Sequence, residues 1–160
     1  MNHKIINNFL PIDYFNKIQW LLLHPRLEWF YKDYSADMNS DDGHSFVHVF
    51  WNEGKPTSDL FKEFYPFLEQ LKVKNLIQLR ANLLVRDNKY SKCADHIDFE
   101  NSDNTTGIFY INSNNGYTLL GETKVESVEN RLLLFPVNVK HASVRQTDTN
   151  RRIVLNINYT

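Results

Sequence analysis

The sequence has a single cysteine, Cys93, so it cannot form an internal disulfide, which agrees with a reducing compartment. A lone cysteine of this kind is more often a small buried residue than a metal ligand. The sequence also lacks an apolar run long enough to span a membrane, and residues 1–10 lack the pattern of a signal peptide. The formal net charge of −1 argues against a protein that coats nucleic acids or membrane surfaces. Together, these missing features predict a soluble, cytoplasmic protein without a membrane partner.

The composition is that of a chain able to bury one hydrophobic core. Of its 160 residues, 42% are hydrophobic and 14% are aromatic, which is ample for one domain and short for two. We therefore predict a single domain over residues 1–160.

The hydrophobic period changes from helical to strand-like along the chain. Apolar positions at helical spacing predict helices over residues 11–23 and 57–71, the second either kinked or restarted at Pro66. Strict alternation predicts a strand over residues 44–51. Further strands are predicted at 76–85, 97–99, 106–112, 117–120, 131–135, 141–145 and 152–159. This order predicts an α+β protein with a β-barrel or sandwich.

Two connecting segments carry loop or turn signals. Residues 33–43 are polar and acidic without a sustained period, and they predict a loop. Asn115-Gly116 separates the apolar segments 109–111 and 118–120 and predicts a β-hairpin, because a type I′ turn needs positive φ at both central residues.

The strongest chemical signal lies in residues 94–99, where His96 and Asp98 stand two positions apart. In a strand, such residues point to the same face, so both could bind one metal ion. His141 would complete the group of two histidines and one carboxylate that leaves open positions on ferrous iron. His48 is a rival ligand, although a strand histidine is more often a buried, hydrogen-bonded residue.

Four segments carry a resemblance to a known family. In chain order they read HIDF, TGIFYINSNNGYTLL, NRLLLFPVNVKH and RRIVLNINY, all within residues 76–159. The order His-x-Asp, second His, then basic residue resembles the 2-oxoglutarate and Fe(II)-dependent oxygenases of the prolyl-hydroxylase type. The resemblance implies a double-stranded β-helix, or jelly roll, with two or three N-terminal helices packed on the outside. The short, Asn-rich core is similar to phage-encoded members, which would place the protein in the host cytoplasm.

The resemblance also implies metal and cofactor ligands. His96, Asp98 and His141 would bind Fe(II). Tyr110 matches the position whose hydroxyl binds the distal carboxylate of 2-oxoglutarate, although it is equally an ordinary strand aromatic. Arg152 is the favoured anchor of that same carboxylate, because a guanidinium pairs with a carboxylate through two hydrogen bonds.

The choice of Arg152 rests on the alternation of the last strand. One row holds Ile153, Leu155 and Ile157, and the other holds Arg152, Val154, Asn156 and Asn158. Asn156 and Asn158 match positions that face the cavity in the family, so they would lie beside the bound dicarboxylate. Arg151 is the alternative anchor, because a slip of one residue would exchange the two arginines.

Two positions depart from the family pattern. Where many members have Gly before the LLLF-like strand and before the basic residue, this chain has Asn130 and Asn150. Asn tolerates positive φ better than other non-Gly residues, so we expect both turns to survive.

The implied activity is hydroxylation of a C–H bond, with dioxygen as co-substrate and decarboxylation of 2-oxoglutarate to succinate. The motif spellings favour a peptidyl side chain, such as prolyl, and a small-molecule substrate stays open. A non-catalytic β-helix that binds a small acid or sugar is one alternative. A nucleic-acid demethylase is another, but it would need a base-stacking lid and a stronger basic groove.

A locally basic segment bears on that last alternative. It contains Lys72, Lys74, Arg80, Arg86, Lys89 and Lys92. Such a segment could favour an acidic peptide or a nucleic acid, but it is more often a solvated face, so we expect no nucleic-acid partner.

Overall fold

The computed structural model describes residues 3–36, 38–39, 42–100 and 103–160. Its α-helices are α1 (Ile12–Leu23) and α2 (Tyr65–Leu71), and a 3-10 helix (Asp59–Phe64) leads into α2. The strands are β1 (Lys4–Ile6), β2 (Phe30–Lys32), β3 (Ser45–Asn52), β4 (Lys55–Pro56), β5 (Leu76–Val85), β6 (Thr105–Tyr110), β7 (Tyr117–Leu120), β8 (Thr123–Glu126), β9 (Arg131–Pro136), β10 (His141–Val144) and β11 (Arg151–Tyr159). None of the described helices is long and apolar enough to cross a membrane.

The strands form two antiparallel sheets. The large sheet has the order β1-β9-β6-β11-β5-β3-β2, with β4 paired to β3, and the small sheet has the order β10-β7-β8. Buried side chains from both sheets pack together in one cluster, which includes Ile108, Leu120, Val125 and Val154. Two packed sheets with non-consecutive neighbours make the jelly roll that the family resemblance implied.

The helices cover the other face of the large sheet. Phe15, Ile18 and Leu22, spaced for one face of α1, are buried in a cluster that also holds the apolar row of β11. Burying such side chains against a sheet contributes roughly 1.5–3 kcal/mol each. The predicted α+β arrangement with outer helices is therefore confirmed, including the helix over residues 11–23.

The break predicted at Pro66 is a restart of the helix. Ser58 accepts a hydrogen bond from the Leu60 amide at the start of the 3-10 helix, and Pro66 then lies in the first turn of α2, where no amide donor is needed. Lys72 ends α2 with a left-handed φ of 58°.

The hairpin predicted at Asn115-Gly116 is wrong. Strand β6 pairs with β9 and β11, while β7 pairs with β8 and β10, so β6 and β7 lie in different sheets. Asn115 instead bonds to Thr147 at 2.8 and 2.9 Å. A Cβ on Gly116 would stand 2.9 Å from the Val144 carbonyl, so this glycine permits a close approach of chains. The β7–β8 hairpin turns at Gly121, whose φ is 58°.

Two other expectations meet different outcomes. Asn130 has the expected positive φ of 57°, and its amide bonds to both the N–H and the C=O of Leu10 at 2.9 Å. Asn150 is not left-handed.

The strand predicted at 97–99 is wrong, since residues 97–99 form no strand, and the nearest pairing is an isolated bridge between His96 and His141. The described part of the predicted loop 33–43 has no helix or strand, and Asp37, Ser40 and Asp41 lie outside the described residues.

Candidate metal centre and cofactor cavity

The fold brings His96, Asp98 and His141 together from distant parts of the chain. His96 and Asp98 lie in the connection between β5 and β6, and His141 is the first residue of β10. His96 and His141 exchange two backbone hydrogen bonds of 2.9 Å, and the Asp98 amide donates to the Val137 carbonyl at 3.2 Å. The backbone thus holds both sides of the site in register.

The side-chain donor atoms of these three residues converge. The Oδ1 atom of Asp98 lies 3.9 Å from the Nε2 atoms of both His96 and His141, and one donor atom from each residue lies within 4.8 Å of the others. Each Nδ1 lies near a carbonyl two residues earlier, Ala94 at 3.3 Å and Val139 at 3.1 Å. A proton on Nδ1 satisfies that contact and leaves the Nε2 lone pair facing Asp98.

The carboxylate of Asp98 is divided between two tasks. Its Oδ2 accepts hydrogen bonds from the Thr106 hydroxyl at 2.6 Å and the Asn158 amide at 2.8 Å, while Oδ1 faces the histidines. The side chain is only 5% exposed. Burial would raise its pKa, but the His141 ring, the two hydrogen bonds and the nearby Arg80 together lower the pKa below the usual aspartate value.

The environment of His141 favours a neutral imidazole. Burial is the main cause that lowers the pKa of His141, and the neighbouring His96 lowers it further against the opposing effect of Asp98. A neutral imidazole is the form that binds metal. Two imidazole nitrogens and one carboxylate oxygen that converge in this way can bind one divalent cation together. The residues present therefore fit a transition-metal ion such as Fe(II).

A cavity of about 180 Å³ adjoins this group of residues and runs between the two sheets. Its lining includes His96, His141, Arg80, Arg152 and Asn156. Since two of the three metal-ligand candidates and several polar side chains line one space, the cavity can hold a small polar molecule next to a bound ion.

Arg152 forms one end of the cavity with its charge uncompensated. It is 1% exposed, and its guanidinium donates to the hydroxyls of Ser127 at 2.8 Å, Thr118 at 3.1 Å and Ser143 at 3.3 Å. No carboxylate of the described residues forms a salt bridge with it. Because a buried cation is costly when its partners are all neutral, this end of the cavity is suited to an anion.

Tyr110 belongs to the same polar network. It is fully buried, its hydroxyl donates to Thr118 at 2.8 Å, and the Arg152 guanidinium lies 5.7 Å from its ring centroid. Burial raises the pKa of Tyr110, so the hydroxyl keeps its proton near neutral pH. Its role towards a cofactor stays a prediction.

The alternation expected for β11 is present in the structure. Ile153, Leu155 and Ile157 lie in the core beneath the helices, whereas Arg152 and Asn156 line the cavity. Arg151 is not among the cavity-lining residues, and its carbonyl accepts from the amide of Asn112 at 2.9 Å. Which arginine binds 2-oxoglutarate stays a prediction.

Two other candidate ligands lie apart from the metal group. The ring of His48 bonds to the Glu28 carbonyl at 2.7 Å and the Ser58 hydroxyl at 2.9 Å, which is a structural role. Cys93 is buried and lines the cavity without joining the three metal-ligand candidates.

Sequence reasoning missed several residues of the site. Thr106 and the hydroxyls around Arg152 gave no signal, because sheet register alone brings them there. Arg80 was placed on a solvated basic face, and that is wrong, since it lines the cavity. The alternation of β5 could have found it, because Arg80, Asn82 and Leu84 share one face and all three line the cavity.

No family model matches the sequence, and no curated protein matches it. Solved structures do share its fold. The chain is similar to a Pseudomonas putida prolyl-4-hydroxylase, with a TM-score of 0.68, 13% identity, and coverage of 98% of this chain and 91% of that chain. It is similar to a Trichoplax adhaerens prolyl hydroxylase solved with a peptide fragment of hypoxia inducible factor, with a TM-score of 0.65, 17% identity, and coverage of 98% and 83%. Streptomyces hygroscopicus HygX, solved with nickel and 2-oxoglutarate bound, gives a TM-score of 0.62, 11% identity, and coverage of 98% and 82%.

Proposed function

We propose that this protein is an Fe(II)- and 2-oxoglutarate-dependent dioxygenase that hydroxylates a C–H bond. The observation that carries the proposal is one cavity with two complementary binding ends. At one end three metal-ligand candidates converge, and at the other the buried Arg152 lacks an anionic partner. 2-Oxoglutarate, a dicarboxylate that chelates a metal and extends a second carboxylate, matches both ends.

The residues of the chain have separate tasks in this proposal. His96 and His141 present Nε2, and Thr106 and Asn158 hold the Asp98 carboxylate so that Oδ1 stays available. When bound, Fe(II) supplies the activation of dioxygen that is coupled to decarboxylation of 2-oxoglutarate.

The opposite end of the cavity positions the cofactor. The guanidinium of Arg152 would pair with the distal carboxylate, and the hydroxyls of Tyr110 and Thr118 would hydrogen-bond beside it. Burial of these groups strengthens the pairing and keeps water away from the reacting atoms.

The substrate class proposed here is a peptidyl side chain, with prolyl as the first candidate, or a small molecule. Support comes from the prolyl hydroxylases among the structures that share the fold, one of which was solved with a peptide. We also propose that residues 1–160 act as one cytoplasmic oxygenase domain.

The test of this function is metal binding combined with cofactor turnover. Equilibrium dialysis with Mn(II) should find one strong site per chain in the parent protein. Asp98→Ala should weaken it by more than about 100-fold, since loss of a mere supporting residue already costs 10–100-fold. Asp95→Ala is the matched control, because that nearby carboxylate is exposed and pairs with Lys92 at 2.6 Å.

Turnover is measured as succinate formed from 2-oxoglutarate when the protein is incubated in air with Fe(II) and a cell lysate, with a search for peptides that gain one oxygen atom. The parent and Asp95→Ala proteins should form succinate, and Asp98→Ala should not. A parent rate in Asp98→Ala would show that the metal assignment is wrong. Absence of a metal site in the parent would instead favour the non-catalytic binding protein.

A further inference from the structure

Two cationic side chains of the cavity have no task in the proposed chemistry. Arg80 on β5 and Lys32 on β2 both line it. Arg80 is partly exposed to the cavity, but its Nε is inaccessible to solvent and has no hydrogen-bond partner among the described residues. A buried N–H without an acceptor costs roughly 1–3 kcal/mol, so a missing acceptor is indicated here.

Arg80 lies towards the metal end of the cavity and far from Arg152. It pairs across the sheet with Asn156, which is four residues beyond Arg152 on β11 and two before Asn158, the residue that bonds to Asp98. Four residues of strand span about 13 Å. Arg80 therefore lies beside the middle of the row that joins Arg152 to the metal group, displaced from that row by one strand.

The Asn156 amide beside Arg80 is also incompletely bonded. Its Oδ1 is buried and has no hydrogen-bond partner in the described structure, and the residue is 8% exposed. Cross-strand neighbours that offer an unused N–H donor and an unused C=O acceptor match a ligand that carries an acceptor and a donor close together.

The local charge also favours an anion. Burial, followed by the charge of Arg80, lowers the pKa of Lys32 to about 8, against the opposing effect of Asp42. The nearby Asp98 is already engaged by Thr106, Asn158 and the metal-ligand histidines. An incoming anion would relieve the repulsion between the two cations.

We propose that Arg80, Lys32 and Asn156 form a subsite for the substrate itself, which binds a carboxylate with an adjacent N–H, as in an amino acid or the C-terminal residue of a peptide. This proposal rests on the proposed function, which assigns one end of the cavity to the metal and the end at Arg152 to 2-oxoglutarate. A carboxylate fits because Nε and one terminal N–H of a guanidinium point the same way and meet its two oxygens. The hydroxylated carbon would then lie a few bonds from that carboxylate.

The first test is a titration of the metal-free protein with acetate at constant ionic strength. Binding is monitored by the NMR signals of the Arg80 Nε–H and of the side-chain amide of Asn156. An Arg152→Met background removes the other anion site. We expect saturable shifts with acetate and none with acetamide, its neutral analogue. Because no metal or turnover is needed, this arm can succeed or fail independently of the proposed function.

Variants assign the binding to the guanidinium. Arg80→Met should weaken acetate binding at least tenfold, as measured at the Asn156 amide. Arg80→Lys keeps the charge but not the planar pair of N–H donors, so its acetate affinity should lie between those of the parent and Arg80→Met. Arg86→Gln is the matched control, an exposed arginine just beyond the end of β5, and should bind acetate as the parent does. Unchanged binding in both Arg80 variants, or saturation by inorganic phosphate but not by acetate, would overturn the proposal.

The second test compares 2-oxoglutarate turnover with free amino acids, peptides that have a free C-terminal carboxylate, and the same peptides amidated. We expect 2-oxoglutarate turnover to be stimulated only by compounds with a free carboxylate. Comparing free amino acids with peptides shows which of these two substrate classes the subsite binds. Arg80→Lys should raise the KM for the stimulating compound at least tenfold with a smaller change in kcat, while the KM for 2-oxoglutarate stays within about twofold. Equal stimulation by the amides would contradict the subsite.

Discussion

At the scale of single residues, the site is defined by which polar atoms are already bonded and which are left free. Asp98 has one oxygen bonded to neighbours and one turned to the histidines. Arg152 has only neutral hydrogen-bond partners, and Nε of Arg80 has none among the described residues. Since native interiors satisfy nearly all their polar groups, these free atoms mark where ligands belong.

The first residue-scale prediction compares the two adjacent arginines of β11. Arg152→Ala should weaken 2-oxoglutarate binding by about 2–4 kcal/mol, because it leaves a partly buried carboxylate unpaired. Arg151→Ala should change it by less than about 0.5 kcal/mol, since the Arg151 side chain does not line the cavity. Calorimetry with the Mn(II)-loaded, oxygen-free protein measures both. The reverse ranking would show that the alternation argument fails.

The second residue-scale prediction concerns the pH dependence of stability that Lys32 causes. Its Nζ lies 4.0 Å from the ring centroid of Tyr34 and interacts with the charges of Arg80 and Asp42. Its pKa is about 8 in the folded protein, so between pH 8 and about 10.5 this side chain holds more protons in the unfolded chain, and its contribution to parent stability rises with pH. Lys32→Met removes this dependence. We expect the variant to be more stable at pH 7, on the order of 1 kcal/mol after solvent screening, with the difference shrinking as pH rises.

Urea unfolding of the metal-free proteins at pH 7 and pH 10 measures this difference. The exposed Lys62→Met is a control for the effect of added methionine. A stability difference between the parent and Lys32→Met that grows with pH would contradict the sign of the argument.

At the scale of elements, the long periodic segments were predictable and the short ones were not. Helix α1 and strand β5 lie where their apolar periods predicted, because each buries one repeating face. Strands of two or three residues such as β1, β2 and β4 carry too few positions to show a period. The Asn115-Gly116 signal failed because a close approach of chains, and not a positive φ, requires that glycine.

An element-scale prediction tests the turn before β9. Asn130 has φ of 57° and makes two hydrogen bonds of 2.9 Å to Leu10. Asn130→Ala and Asn130→Gly both lose these bonds, at about 1 kcal/mol each. Only Ala also incurs the left-handed strain of roughly 1–2 kcal/mol. Denaturant unfolding should therefore rank the free energies of unfolding as parent, then Gly, then Ala, and equal values for the two variants would rule out strain at this turn.

At the scale of the whole molecule, the sequence pointed to the metal residues but not to what supports them. The prediction that His96 and Asp98 share one face assumed a strand, and that assumption is wrong, since their segment forms one bridge and no strand. Local motifs carry ligand identity, whereas the partners Thr106 and Asn158 meet Asp98 only after β6 and β11 pair. Non-local register therefore supplies the second half of the site, and no local pattern reports it.

This arrangement couples the metal to the stability of the whole fold. His141 belongs to the small sheet, whereas Asp98 is bonded to β6 and β11 of the large sheet. A ligand that bridges both is bound by the folded state alone, and at 100 times its Kd it adds about 2.7 kcal/mol to the free energy of unfolding. For a chain of this length, that corresponds to a rise in Tm of about 5–10 °C.

Thermal unfolding with and without excess Mn(II) measures that rise, and added 2-oxoglutarate should increase it again, because in the proposed binding mode the cofactor would contact both sheets. His141→Ala should abolish the metal-dependent rise, while His48→Ala, which removes a buried histidine with a structural role, should lower Tm yet keep the rise. An equal rise in His141→Ala and the parent would mean that the metal binds elsewhere.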